Sequence, residues 1–160
     1  MQSDDARIAE KDPRPLLYLE DLAVGQRFVT ASHVMSVHAI EDFARQFDPQ
    51  PFHLSEAAAQ TTVLGSLAAS GWHTAAVTMR LIVEGGPRLA GGVIGVGCEV
   101  GWPKPTRPGD LLHVEGEVLS VRASQSRPGH GIVSIRNETR NQRQEIVQTM
   151  TATLMVLGRP

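Results

Sequence analysis

Asp48 and His53 stand five residues apart in Asp48-Pro49-Gln50-Pro51-Phe52-His53, with two prolines between them. A carboxylate and an imidazole are common proton carriers in catalysis, and they must be held in one geometry to act together. Proline fixes φ and is excluded from helix interiors and central strands, which predicts a stiff loop carrying the pair. Alone, the spacing is more often that of two ordinary surface-loop residues. Two flanking features favour the chemical reading.

Upstream, Ile40, Phe43, Ala44 and Phe47 recur at helical spacing, which predicts an amphipathic helix over about 37 to 47. Ser36 is suited to cap its start, and Glu41 and Asp42 lie early, where acids favour the dipole. Pro49 disfavours helical geometry at Asp48 and predicts the helix end there. Asp48 would then face the negative end of the helix, which predicts a raised pKa, as a proton donor requires. Downstream, Ala69-Ser70-Gly71-Trp72-His73 leads into an apolar run through Ala75, Ala76, Val77, Met79, Leu81, Ile82 and Val83. With only Thr74, Thr78 and Arg80 as polar interruptions, it reads as a buried helix. A glycine at its start leaves backbone N–H groups free to hold a developing oxyanion, or merely eases the helix entry.

Together these segments resemble the MaoC-like dehydratases, the (R)-specific enoyl-CoA hydratases. That family's signature runs Asp-x-Asn-Pro-x-His, followed by a His-Gly or Ser-Gly pair opening a central helix. Asp48, Pro51, His53 and Gly71 match it position by position, and Gln50 stands where the family has asparagine. The likeness extends from about Tyr18 to Leu157 and includes the Arg107-Pro108-Gly109-Asp110 turn.

Composition narrows the class. A chain of 160 residues, 41% hydrophobic, is one domain with a single core. Residues 1–15 are polar and proline-punctuated and read as a mobile arm, leaving one domain over 16–160. A net charge of -2, from 15 basic and 17 acidic residues, gives no footprint for nucleic acid or an anionic membrane. No apolar run is long enough to span a bilayer, and the start of the chain lacks an apolar signal region. The single cysteine, Cys98, permits no internal disulfide and points to the cytoplasm; it reads as core packing. His33 and His38 read as surface or strand-end residues. No His, Cys and Asp cluster has metal-ligand spacing, which predicts no metal.

The remaining elements follow from period and turn chemistry. A strand is predicted over Arg27 to Val37, and a short helix capped by Ser55 over 56–60. Residues 61–69 link to the central helix, which Gly85-Gly86-Pro87 ends. From Val93 to Trp102 the period is two: Ile94, Val96, Cys98, Val100 and Trp102 share a core face, and Gly95, Gly97, Glu99 and Gly101 leave the other nearly bare. Pro108-Gly109 predicts a type II turn. Further strands are expected over 111–121, 131–139 and 145–157, the last two a hairpin through Asn141-Gln142. The pattern is α+β, and the resemblance names it the hotdog fold: an antiparallel sheet wrapped around one buried helix, with a helical insert carrying the site.

The resemblance implies reversible hydration of a trans-2-enoyl thioester. Asp48 and His53 would share the acid and base roles, and Gly71 N–H would stabilise the oxyanion. Gln50, Phe52, Ser70 and Trp72 are candidate substrate contacts, and the acyl chain would pass near Phe52, Trp72 and Met79, each of which also reads as core packing. Coenzyme A belongs to the substrate, and no other cofactor is implied. Its phosphates need cations, for which Lys104, Arg107 and Arg88 stand in turns, with Arg122, Arg136 and Arg140 as competitors. A homodimer, or a dimer of dimers, would cover an exposed sheet edge. The competing readings are a hotdog acyl-CoA thioesterase and a non-catalytic acyl-thioester-binding subunit.

Overall fold

The computed structural model describes residues 12–160. Six antiparallel strands form one sheet: β1 (Arg27–Val29), β2 (His33–Val34), β3 (Ile94–Gly101), β4 (Leu111–Ala123), β5 (His130–Arg140) and β6 (Ile146–Leu157). Their order is β1-β4-β5-β6-β3, with β2 also on β4. Helices α1 (Val37–Phe47), α2 (Pro51–Leu54) and α3 (Glu56–Ala59) precede the long helix α4 (Gly71–Gly85). This is the hotdog arrangement. Val77, Leu81 and Ile82 of α4 pack on Leu112, Val114, Val147 and Met150 of the sheet, and burial of that stripe holds the helix in place. No helix among the described residues is long and apolar enough to cross a membrane.

Local signals account for most boundaries. The hydroxyls of Ser36 and Ser55 accept from Ala39 N–H and Ala58 N–H and cap α1 and α3 as expected. Gly109 has φ +84° and Asp110 N–H donates to Arg107 O, which makes the predicted type II turn. Residues 1–11 of the expected arm lie outside the described residues. Residues 12–15 are held: Arg14 pairs with Asp12 and donates to the carbonyls of Val83 and Gly86 at the end of α4.

Four expectations are corrected. The strand expected over Arg27 to Val37 is split into β1 and β2. Thr30 N–H donates to Val114 O and its hydroxyl accepts from Val114 N–H, so a side chain takes a ladder position and the chain leaves the sheet. The common apolar face of 94–102 is broken by a bulge between Gly95 and Gly97. Ile94 lies opposite Met155 and Cys98 opposite buried Ala152, on opposite faces of the sheet. Cys98 is exposed and not core packing, because β3 is an edge strand with nothing outside it in the single chain. Finally, α4 is buried on one side only. Trp72, Met79 and Val83 lie on its exposed side, whereas Thr74 and Thr78 are buried among polar partners.

Candidate active site

The dyad is assembled where α1 ends, α2 begins and α4 starts. Asp48 closes α1, its N–H donating to Ala44 O, and Pro49 stops the helix as expected. Pro51, expected in a stiff loop, instead opens α2 at the first helical position, where proline's missing N–H has no cost and its φ is already helical. That one turn of helix carries His53 inward. It is 6% exposed, and its Nδ1 lies 2.7 Å from Ala68 O. A carbonyl only accepts, so Nδ1 carries a proton and Nε2 is left facing Asp48 Oδ2 at 3.4 Å.

Asp48 is fully engaged. Ser70 Oγ donates to Oδ2 at 2.7 Å, and Gln50 Nε2 donates to Oδ1 at 2.6 Å. Burial pushes the carboxyl up, but the hydrogen bonds from Ser70 and Gln50 and the charge of His53 outweigh it, and its pKa lies below the usual carboxylate value. The raised pKa expected from the end of α1 is therefore corrected. Direct donors aimed at both oxygens prevail over the diffuse partial charge of a helix terminus. Asp48 is a carboxylate, an acceptor and not a donor, at neutral pH.

Ser70 and Gln50, expected to touch substrate, hold Asp48. Ser70 also caps α4 by accepting from Trp72 N–H. Gly71 occupies the first position of α4, where the N–H has no intrahelical acceptor. Its lack of a side chain is enforced by Trp102: a Cβ at Gly71 would lie 2.6 Å from the indole ring. Trp102 is the site residue that sequence reasoning assigned elsewhere. Its Nε1 donates to Gln148 Oε1, Gln148 Nε2 donates to Thr78 Oγ1, and Thr78 bonds Thr139 at 2.6 Å. The signal available was the pair Thr74 and Thr78, one turn apart in an otherwise apolar helix. Behind α1, His73 of α4 stacks on Phe43, with ring centroids 4.7 Å apart. Burial, and secondarily His33, lowers the His73 pKa, which favours the neutral imidazole in its stack on Phe43.

A cavity of about 310 Å3 opens over these groups, lined by Phe52, His53, Gly71, Thr74, Trp102, Lys104 and Thr106 among others. Trp72 is 62% exposed and meets Trp102 edge-on, so it is not core packing. Met79 does not line this cavity. Lys104 lies on its rim, paired with Glu145 at 2.7 Å. The Arg107 guanidinium is spent on the carbonyls of Leu64 and Ser66, fastening the loop before α4, and Arg88 is spent on those of Asp12 and Arg14. Among the described residues no three His, Cys, Asp or Glu side chains converge as a metal site needs.

Residues 21–141 match the model of the MaoC like domain. The chain belongs to the MaoC-like family. Every residue of the dyad and of the start of α4 lies inside the match. A crystal structure of a MaoC-like dehydratase from Rhodospirillum rubrum superimposes with a TM-score of 0.88 at 58% identity, covering 90% of this chain and 99% of that one. The uncharacterized protein YdeM of Bacillus subtilis is 33% identical over 129 residues, 79% of this chain and 89% of YdeM. A 3-hydroxybutyryl-CoA dehydratase of Methylorubrum extorquens is 31% identical over 107 residues, 66% of each chain. This MaoC-like protein thus shares sequence with a dehydratase of a short 3-hydroxyacyl-CoA.

Proposed function

We propose that this MaoC-like protein reversibly adds water across the trans-2 double bond of an enoyl-CoA, giving the (R)-3-hydroxyacyl-CoA. The observation that carries the reading is the placement of Asp48 Oδ2 and His53 Nε2 3.4 Å apart beside the start of α4. A water held by both has its oxygen free to attack C3. As the C3–O bond forms, one water proton leaves to the dyad, and the electrons of the double bond move toward the thioester oxygen. A proton delivered from the dyad to C2 completes the addition, so the pair returns to its starting state each turnover. Asp48, held ionised, accepts. His53, with Nδ1–H committed to Ala68, uses Nε2 to take and return a proton. Gly71 N–H faces the oxyanion, an interaction worth about 3–4 kcal/mol where such a donor has been removed from other enzymes.

Coenzyme A arrives with the substrate and no further cofactor takes part. The protein works as a homodimer in the cytoplasm. Its free β3 edge and the exposed Trp72, Met79, Val96 and Trp102 are the surfaces that a second copy would cover.

The test is loss of the conjugated enoyl-thioester absorbance when purified protein meets crotonyl-CoA, with Asp48→Asn and His53→Ala alongside. Turnover by the wild type and not by the variants is expected. Release of free thiol without hydration would replace this reading with a thioesterase, and acyl-CoA binding without either reaction would leave a binding subunit.

A further inference from the structure

Between α3 and α4, residues 60–70 belong to no helix or strand. Such a segment has no ladder of its own, yet its end is deeply buried: Ala68 is 1% exposed. Its backbone groups are taken up by other parts of the fold. Arg107, in the turn before β4, donates from Nη2 to Leu64 O at 2.9 Å and from Nη1 to Ser66 O at 2.8 Å. Leu67 N–H donates to Glu56 Oε2 of α3, Ala68 N–H to Phe52 O of α2, and Ala69 N–H to Thr106 O. The Ala68 carbonyl, inside this clamp, is the one that meets His53 Nδ1 at 2.7 Å.

A neutral imidazole has one N–H and two nitrogens that can carry it. Ala68 O stands 2.7 Å from Nδ1, and the Asp48 carboxylate stands 3.4 Å from Nε2. The carboxylate is charged and is intrinsically the stronger acceptor. The proton stays on Nδ1 because the carbonyl is held close. With the proton there, Nε2 keeps a lone pair and can take a proton beside the start of α4. With the proton on Nε2, the ring donates to Asp48 and offers no base at that point. The position of one carbonyl therefore decides whether His53 can act as a base.

We propose that Arg107 is a positioning residue: by holding the carbonyls of Leu64 and Ser66 it keeps the Ala68 carbonyl on His53 Nδ1, and so sets which ring nitrogen carries the proton. Its place in a turn suggested a contact to coenzyme A phosphates, but a planar guanidinium already engaged on two carbonyls is not free for that. The effect on turnover rests on the hydratase reading; the effect on the imidazole does not.

Two measurements test this on Arg107→Ala, Arg107→Lys and Arg88→Ala, the last removing a guanidinium spent on carbonyls beyond the opposite end of α4. Histidine 1H–15N correlation spectra at about pH 8, where free imidazole is neutral, report the tautomer of each ring, and His53→Ala identifies the His53 signals. In the wild type His53 should carry its proton on Nδ1. Arg107→Ala should move it toward Nε2, Arg107→Lys should restore part of the Nδ1–H form, and Arg88→Ala should leave it unchanged. Hydration is then followed with crotonyl-CoA and with crotonyl-pantetheine, which lacks the phosphates. In Arg107→Ala, kcat should fall about 10- to 100-fold on both thioesters with KM nearly unchanged, the cost of a shift of about 1 Å at a reacting group. Should that variant fail to fold, exposed Glu56 offers a second handle. Glu56→Ala frees Leu67 N–H in the same clamp and should move the tautomer the same way. A wild-type His53 protonated on Nε2, a tautomer that neither Arg107→Ala nor Glu56→Ala moves, or a rise in KM confined to the CoA ester overturns the proposal. Wild-type turnover with an unmoved tautomer sinks this inference alone; a moved tautomer without wild-type turnover sinks the hydratase reading alone.

Discussion

Two polar side chains, half-buried Asp48 near the start of α4 and buried Asn137 on β5, are provided for in opposite ways. Asp48 has a donor on each oxygen, from Ser70 and Gln50, and an imidazole alongside. Asn137 has an oxygen with none. The first arrangement fixes a charge before any ligand arrives, which is what a reacting group needs if reorganisation is not to slow each turnover. The second leaves a buried amide oxygen without a donor from within the chain. On the proposed reading Asp48 serves chemistry, whereas Asn137 has no part in it, and substitutions at the two positions should fail in different ways.

The sharpest separation comes from Asp48→Asn, which keeps shape and removes the charge. Hydration should fall about 10²–10⁴-fold, read as kcat on crotonyl-CoA, with folding intact by circular dichroism. Gly71→Ala should follow at about 10²–10³-fold, because the added methyl displaces the Trp102 ring and shifts the N–H that faces the oxyanion. Ser70→Ala acts on pH dependence. Asp48 has a folded pKa below the ordinary carboxylate value, so wild-type activity should persist through the usual carboxylate range and be lost only as pH falls through that lowered value. Removing the Ser70 donor raises the Asp48 pKa, and the acid limb of kcat/KM should move to higher pH. The smallest effect has the opposite sign. Asn137→Leu removes an unsatisfied buried oxygen from an apolar wall and should leave the melting temperature unchanged or slightly higher. A large loss of stability there would show that Asn137 is structurally required, and would erase the contrast with Asp48.

What could be read in the residues alone divides along the distance over which each feature is determined. Ser36, Ser55, Pro49 and the Pro108-Gly109 pair act within a few positions of themselves, and the elements they bound formed where their chemistry places them. That Asp48 and His53 come together was legible because the two residues and the turn between them are local. Pro51 was misread because proline excludes itself from helix interiors yet favours a helix start, and the residue type is the same in both cases. The Asp48 pKa was predicted in the wrong direction because the helix end is its sequence neighbour, whereas Ser70 is 22 positions away. Trp102 depends on Gln148 and Gly71, contacts that only the folded sheet creates. The bulge at Val96 turns a clean alternation into two faces, and nothing in the alternation itself marks where the register slips. The exposed stripe of Trp72, Met79 and Val83 reads as interior in sequence and is surface in one chain, and it is the face that the proposed second copy would cover.

Arg14 closes the far end of α4 by donating to Val83 O and Gly86 O, across 69 and 72 positions of sequence. The last turn of the central helix is therefore completed by residues made long before it. During synthesis Arg14 finds no acceptor on α4 until the helix has emerged. In the finished molecule the two segments should open and close together, so amide exchange at the end of α4 should accelerate when Arg14 is replaced by alanine, while exchange at the buried mid-helix residues Val77 and Thr78 is unchanged.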